Sequence, residues 1–298
     1  MKHFAKWLQV NIDGIGIVLI AITVAMLAIL DVLGSDQIAA ATLAVLALVA
    51  ATILRERHGL SRAVRDTTAV RLLYGPEIAE AHTMARRDTD KWCRKGGTGT
   101  YLRAVTLPEL FNKARREQRT VRLQVEILDP TNEQRCQDDA HYRSTVISHG
   151  GASGPQWTVD RIRKQSFATV LAACWYRQQS DFLLIEIALA STSTTYRWDL
   201  SDSCVIMTQR YPVSPALLFE RGKPHYQDLT RELARSFKQA RPLAIGRDDE
   251  PLLAAEPTVE QIRQLFEHLR LPLPGTYTDR DIVDIARFAL RADDPFSR

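Results

Sequence analysis

Between residues 15 and 54 the chain carries no Lys, Arg, Glu or His, and Asp31 and Asp36 are its only charges there. This feature constrains the fold most, because an apolar run of that length separates the chain into parts suited to different solvents. Residues 15–33 (IGIVLIAITVAMLAILDVL) would extend roughly 28 Å as a helix, about one hydrocarbon core. Residues 38–54 lie near the lower limit of a spanning length, and a polar turn, Gly34-Ser35-Asp36-Gln37, joins the two. A two-helix transmembrane hairpin is expected. Lys2 and Lys6 precede it and Arg55, Arg57, Arg62 and Arg65 follow it, which predicts that both termini are cytoplasmic at a bacterial inner membrane. The Ala-rich second run would let helices approach closely and self-associate, so a homo-oligomer in contact with the lipid bilayer is expected; a plain anchor explains the same residues.

Beyond residue 54 charge is dense and mixed. The whole-chain net charge of +4 is mild and excludes the strong basic face of a sequence-specific nucleic-acid binder. Cys93, Cys136, Cys174 and Cys204 are scattered without CxxC or paired-His spacing, which argues against a metal site. They read as small buried hydrophobes, although four cysteines could form two disulfides. Four segments are expected: the hairpin 1–54, a basic juxtamembrane helix 55–75, an α/β core 76–243, and a linker with a helical tail 244–298.

Within the core, residues 91–95 (KWCRK) read as a short strand leading into Gly96-Gly97-Thr98-Gly99. Thr106-Leu107-Pro108-Glu109 has the pattern of a capping box opening a helix. Val121, Leu123, Val125 and Ile127 alternate as in a strand with one buried face, ending at Asp129-Pro130. This β–loop–α–β order predicts a parallel strand pair. A helix capped by Thr158, a buried strand at 181–190, a hairpin at 194–209 and a closing helix at 223–240 complete a mixed-sheet α/β domain. The two tail helices, 258–269 and 278–291, are too short to form a core alone and should dock on the main domain or pair between subunits.

The strings GGTGTYLRAVTLPEL, VRLQVEILDP and QDDAHYR, in this order of elements, resemble one half of a phospholipase D-like domain over residues 90–209. That family works through HxKxxxxD, and no histidine here is followed two residues later by Lys. The resemblance therefore implies a degenerate domain that binds phosphates without the family's catalytic residues. The architecture of two membrane helices and a small sensory domain is similar to membrane effectors of bacterial anti-phage (CBASS-like) systems. It implies a sensor that clusters or perturbs the membrane when a nucleotide signal binds.

The candidate ligand residues are Gly96, Gly97, Thr98 and Gly99, whose backbone N–H groups could cradle a phosphate, with Arg103 adding charge. A flexible turn is the competing reading. Asp129 stands at a carboxyl strand end, where ligands gather, or simply caps a turn. Arg143 could grip an anion, or belong to a solvated helix face. No catalytic constellation, metal or cofactor is expected, which leans away from an enzyme. The alternatives are a membrane-tethered phosphodiesterase or nuclease, and a membrane-anchored protein-binding scaffold.

Overall fold

The computed structural model describes residues 70–149, 156–209, 214–246 and 248–294, together with five helical positions, Leu43, Leu46, Ala47, Val49 and Ala50. The chain divides into two compact units, Met1–Thr68 and Ala69–Arg298.

The spans expected at 15–33 and 38–54 lie outside the described residues but for those five positions. Among the described residues, no helix is long and apolar enough to cross a membrane. The expectation of a two-pass inner-membrane protein is corrected on that finding. Even the longest described helix, Val159–Gln178, carries Asp160, Arg161, Arg163, Lys164 and Arg177. A helix at 55–74 is corrected at its end as well. Arg71–Leu73 is strand β1, and its Leu73 is fully buried opposite Ala216.

Among the described residues, the second unit is a mixed α/β fold with an eight-stranded mixed sheet and seven α-helices. The remaining strands are β2 (Lys91–Lys95), β3 (Val121–Leu128), β4 (Leu183–Ala190), β5 (Tyr196–Leu200), β6 (Cys204–Gln209), β7 (Ala216–Glu220) and β8 (Arg241–Leu243). They lie in the order β1-β7-β6-β5-β2-β3-β4-β8. Strands β2, β3 and β4 run parallel, and every other pairing is antiparallel. The helices are α1 (Pro76–Arg87), α2 (Leu107–Glu117), α3 (Glu133–His149), α4 (Val159–Gln178), α5 (Pro224–Gln239), α6 (Val259–His268) and α7 (Asp279–Leu290).

The strand period of two sorts the parallel strands into unlike faces. Register pairs Trp92 with Leu123 and Arg94 with Val125, and Leu123 and Val125 with Ile185 and Ile187. That face is buried and belongs to one core with Leu110, Phe167 and Leu171. The other face carries a polar row, Cys93, Gln124 and Glu186, in which Sγ donates to Gln124 Oε1 at 3.1 Å and Gln124 Nε2 to Glu186 Oε2 at 2.6 Å. Helix α5 covers part of this second face through Leu229, Leu233 and Tyr226, packed with Leu200, Val205 and Phe219.

Helix α4 begins where Thr158 accepts a hydrogen bond from the Arg161 amide. The expected capping box at Thr106 is corrected. The helix already starts at Thr100, passes through a π-helical turn, Leu102–Thr106, and continues as α2. Thr106 makes no cap bond, and the Glu109 carboxylate instead meets Arg86 Nε at 2.5 Å. The last two helices share the main core. Phe167 of α4 meets Phe266 of α6 edge-on at 5.2 Å. Apolar positions of α6 and α7, including Leu265, Ile282 and Ile285, are fully buried. All four cysteines are free thiols.

Candidate functional site

The loop after β2 sits where the sheet order changes direction, with β3 on one side and antiparallel β5 on the other. Ligands of open α/β sheets collect at such carboxyl strand ends. The Gly96 amide donates to Glu126 O at 2.9 Å, and Gly97 O accepts from the Leu128 amide at 3.3 Å. These bonds hold the loop against the end of β3. Residues 96–99 are buried. Among the described residues, the amides of Gly97 and Thr98 have no hydrogen-bond acceptor, while residues 97–98 form a turn that carries the Gly99 amide back toward Gly96 O. Buried backbone donors are almost always paired, so two in succession just before a helix N-terminus form a concentration of positive dipole.

Two guanidiniums stand over Gly97. A Cβ built there would lie 3.6 Å from Arg143 Nη2 and 3.9 Å from Arg197 Nε. Arg143 comes from α3, where Asp139, one turn earlier, accepts from its Nε at 2.8 Å. The other Asp139 oxygen accepts from Ser193 Oγ at 3.0 Å, which ties α3 to the loop after β4. The Arg143 guanidinium also lies over the Trp157 ring, 4.0 Å from its centroid. Beside them Lys95 Nζ pairs with Glu126 Oε1 at 3.0 Å, and Ser236 of α5 bonds to both side chains. The cleft bounded by Lys95, Gly97, Glu126, Ser193 and Thr194 is small, with about 10 Å³ open to the centre of a water molecule.

Gly96 and Gly97 thus line the cleft, and Arg143 stands against Gly97 beside it. The other expected ligand residues are placed elsewhere. Thr98 and Gly99 turn toward α4, where Thr169 Oγ1 donates to Thr98 O at 2.6 Å. Arg103 is almost fully buried beneath the loop rather than over the cleft. Its guanidinium donates to Thr98 O at 2.9 Å, to Gln165 O at 2.8 Å and to Phe288 O at 2.8 Å, and it also bonds Thr169 Oγ1 and Gln165 Oε1. Burial pulls its pKa down to about 9, which leaves it a cation at neutral pH. Asp129 closes a turn by accepting from the Thr131 amide at 2.9 Å and pairs with Arg241 Nη2 of β8 at 2.9 Å. That position makes it a local brace and not a cleft residue. The solvated-face reading of Arg143 is likewise corrected, since the side chain is buried against Asp139 and Trp157.

Sequence reasoning missed Arg197, Asp139 and Ser193, which lie far apart in the chain and meet only through the sheet. It also missed a buried polar cluster under α1. Asp199 accepts from Trp92 Nε1 at 3.2 Å and is ion-paired with Arg94. His82 stacks near Trp92 and Tyr101 in the same layer. Its pKa falls to about 4, first because burial penalises the charged form, with Arg94 and Arg86 adding to the fall and Asp199 opposing it. The available signal was alternation: KWCRK places Trp92 and Arg94 together on one face.

Among the described residues, no group of three or more His, Cys, Asp or Glu could hold a metal ion. No protein-family model matches the chain, and no curated protein matches it. The expected kinship with phospholipase D-like domains, and with it the likeness to anti-phage membrane effectors, is corrected on these findings. The strings that suggested it are ordinary α/β parts. GGTG leads into a helix with a π turn, and QDDAHYR lies within α3.

Proposed function

We propose that the second unit is a binding module for a phosphate-bearing ligand, a nucleotide among the candidates, received at the loop 96–99. The observation that carries this reading is the pair of buried amides, Gly97 and Thr98, without an acceptor among the described residues, in a loop where Arg143 and Arg197 stand against Gly97. A phosphoryl group has three acceptor oxygens and negative charge, which matches N–H donors at a helix start together with guanidiniums. Lys95 and Ser193 stand at the rim and can add polar contacts. The enclosed space admits one water-sized group, so a ligand enters by displacing rim side chains, of which Lys95 and Thr194 are part-exposed and Ser193 exposed.

The test is a thermal-shift panel of inorganic phosphate, mononucleotides and cyclic mono-, di- and oligonucleotides against the full chain. Ligand at 100 times its dissociation constant adds about 2.7 kcal/mol of apparent stability. A selective rise in melting temperature that Gly97→Asp removes supports the reading. No rise with any phosphate-bearing compound sinks it.

A further inference from the structure

Arg103 is a buried cation whose hydrogen-bond partners among the described residues are all neutral: carbonyl oxygens of Thr98, Gln165 and Phe288, the Gln165 side-chain oxygen and the Thr169 hydroxyl. Those partners belong to three separate pieces of the fold: the glycine loop, helix α4 and the C-terminal helix α7. The loop carbonyl it holds, Thr98 O, also accepts from Thr169, and a Cβ at Gly99 would lie 2.6 Å from Thr169 Oγ1. The inner half of the loop is therefore pressed onto α4 and clamped by one guanidinium. The Nε of that guanidinium is satisfied by the end of α7, at Phe288 O. A guanidinium out of water is costly to leave unpaired, so loss of the α7 carbonyl would leave a donor unmet and loosen the clamp. Lys164 makes a second tie between α4 and α7, through Asp281 at 2.6 Å.

We propose that Arg103 is the positioning residue of the glycine loop, and that through it the docking of the C-terminal helices sets the conformation in which the loop amides receive an anion. The residue never meets the ligand. It acts through Thr98, which it holds from below. The C-terminal pair is thus a regulatory element: whatever displaces α7 also releases the loop, more than 180 residues earlier in sequence. This inference rests on the loop being the anion site.

The experiment is amide hydrogen exchange of the full chain, read at residues 97–103 and at α7, together with titration of inorganic phosphate. Four variants are compared: Arg103→Gln, Arg103→Lys, Ile285→Ala in the buried side of α7, and Leu218→Ala, a buried leucine of β7, three strands from β2. Arg103→Gln is expected to speed exchange in both segments together. Ile285→Ala is expected to speed exchange at 97–103, and to weaken phosphate about tenfold. Leu218→Ala should leave loop exchange at its wild-type value, and Arg103→Lys should restore only part of the protection because lysine lacks the fork. Loop exchange unaltered by Ile285→Ala, or raised as much by Leu218→Ala, overturns the coupling. A wild-type chain that binds no phosphate defeats the anion-site reading instead, and the exchange data still decide whether the clamp exists. If Arg103→Gln does not fold, Ile285→Ala and Arg103→Lys carry the test alone.

Discussion

The two halves of one four-residue loop are built for opposite ends. The inner half, Thr98 and Gly99, is filled from below by Thr169, Gln165 and Arg103, with its carbonyl oxygen bonded twice. The outer half faces Arg143 and Arg197 across a space in which a methyl group at Gly97 would make only ordinary contacts. Both halves bring charge to glycines in the left-handed region, with φ of 76° at Gly99 and 65° at Gly97. In one half the guanidinium completes the fold's own hydrogen bonds. In the other the guanidiniums stand beside backbone donors that have no acceptor among the described residues. Polar groups that close on one another support structure, and polar groups left facing a cleft are the ones available to a ligand.

Substitution at the inner glycine sharpens this contrast most. Gly99→Val combines a left-handed backbone with a clash against Thr169, and should cost about 4 kcal/mol in urea unfolding. A cost under about 1 kcal/mol would mean that the inner half is not tightly packed. Next in size is a pH effect remote from the cleft. His82 has a folded pKa near 4, below the value of about 6.5 expected when unfolded, so between these values the unfolded chain binds more protons. Stability is therefore full above pH 6.5 and falls as the pH drops toward 4, by about 2 kcal/mol between pH 7.5 and pH 5. His82→Phe should flatten that slope, and a slope that persists unchanged would remove His82 from the account. The smallest effect is expected at the outer glycine. Gly97→Ala should cost only about 1 kcal/mol, from backbone conformation alone. Equal losses at Gly97→Ala and Gly99→Ala would break the distinction between the halves.

Local chemistry made much of this fold readable in sequence. Thr158 and Thr258 cap the helices they precede, and the alternation of Val121 to Ile127 marks β3. The glycine loop was legible because a strand, four small residues and a helix follow in order. Arg103 was misread because proximity in sequence does not say on which side of a loop an arginine will lie; its partners Gln165 and Phe288 come from distant helices. Arg197 and Ser193 were invisible for the same reason: antiparallel pairing of β5 to β2 brings Arg197 to Gly97, and the loop after β4 brings Ser193 to the cleft. Strands β1 and β8, three residues each, carry too little periodicity to announce themselves, and they exist because β7 and β4 offer them an edge. Asp199 stands two residues before the Ser201 turn in sequence, yet tertiary pairing with Arg94 buries it in the sheet layer.

The most direct measurement is the amide spectrum of ¹⁵N-glycine-labelled full-length protein during titration with inorganic phosphate. The account predicts a large, saturable shift of the Gly97 signal and a smaller one at Gly99, the latter absent in the Gly97→Asp variant. Signals of Gly97 and Gly99 that stay in place while phosphate is raised well past millimolar concentrations would contradict it.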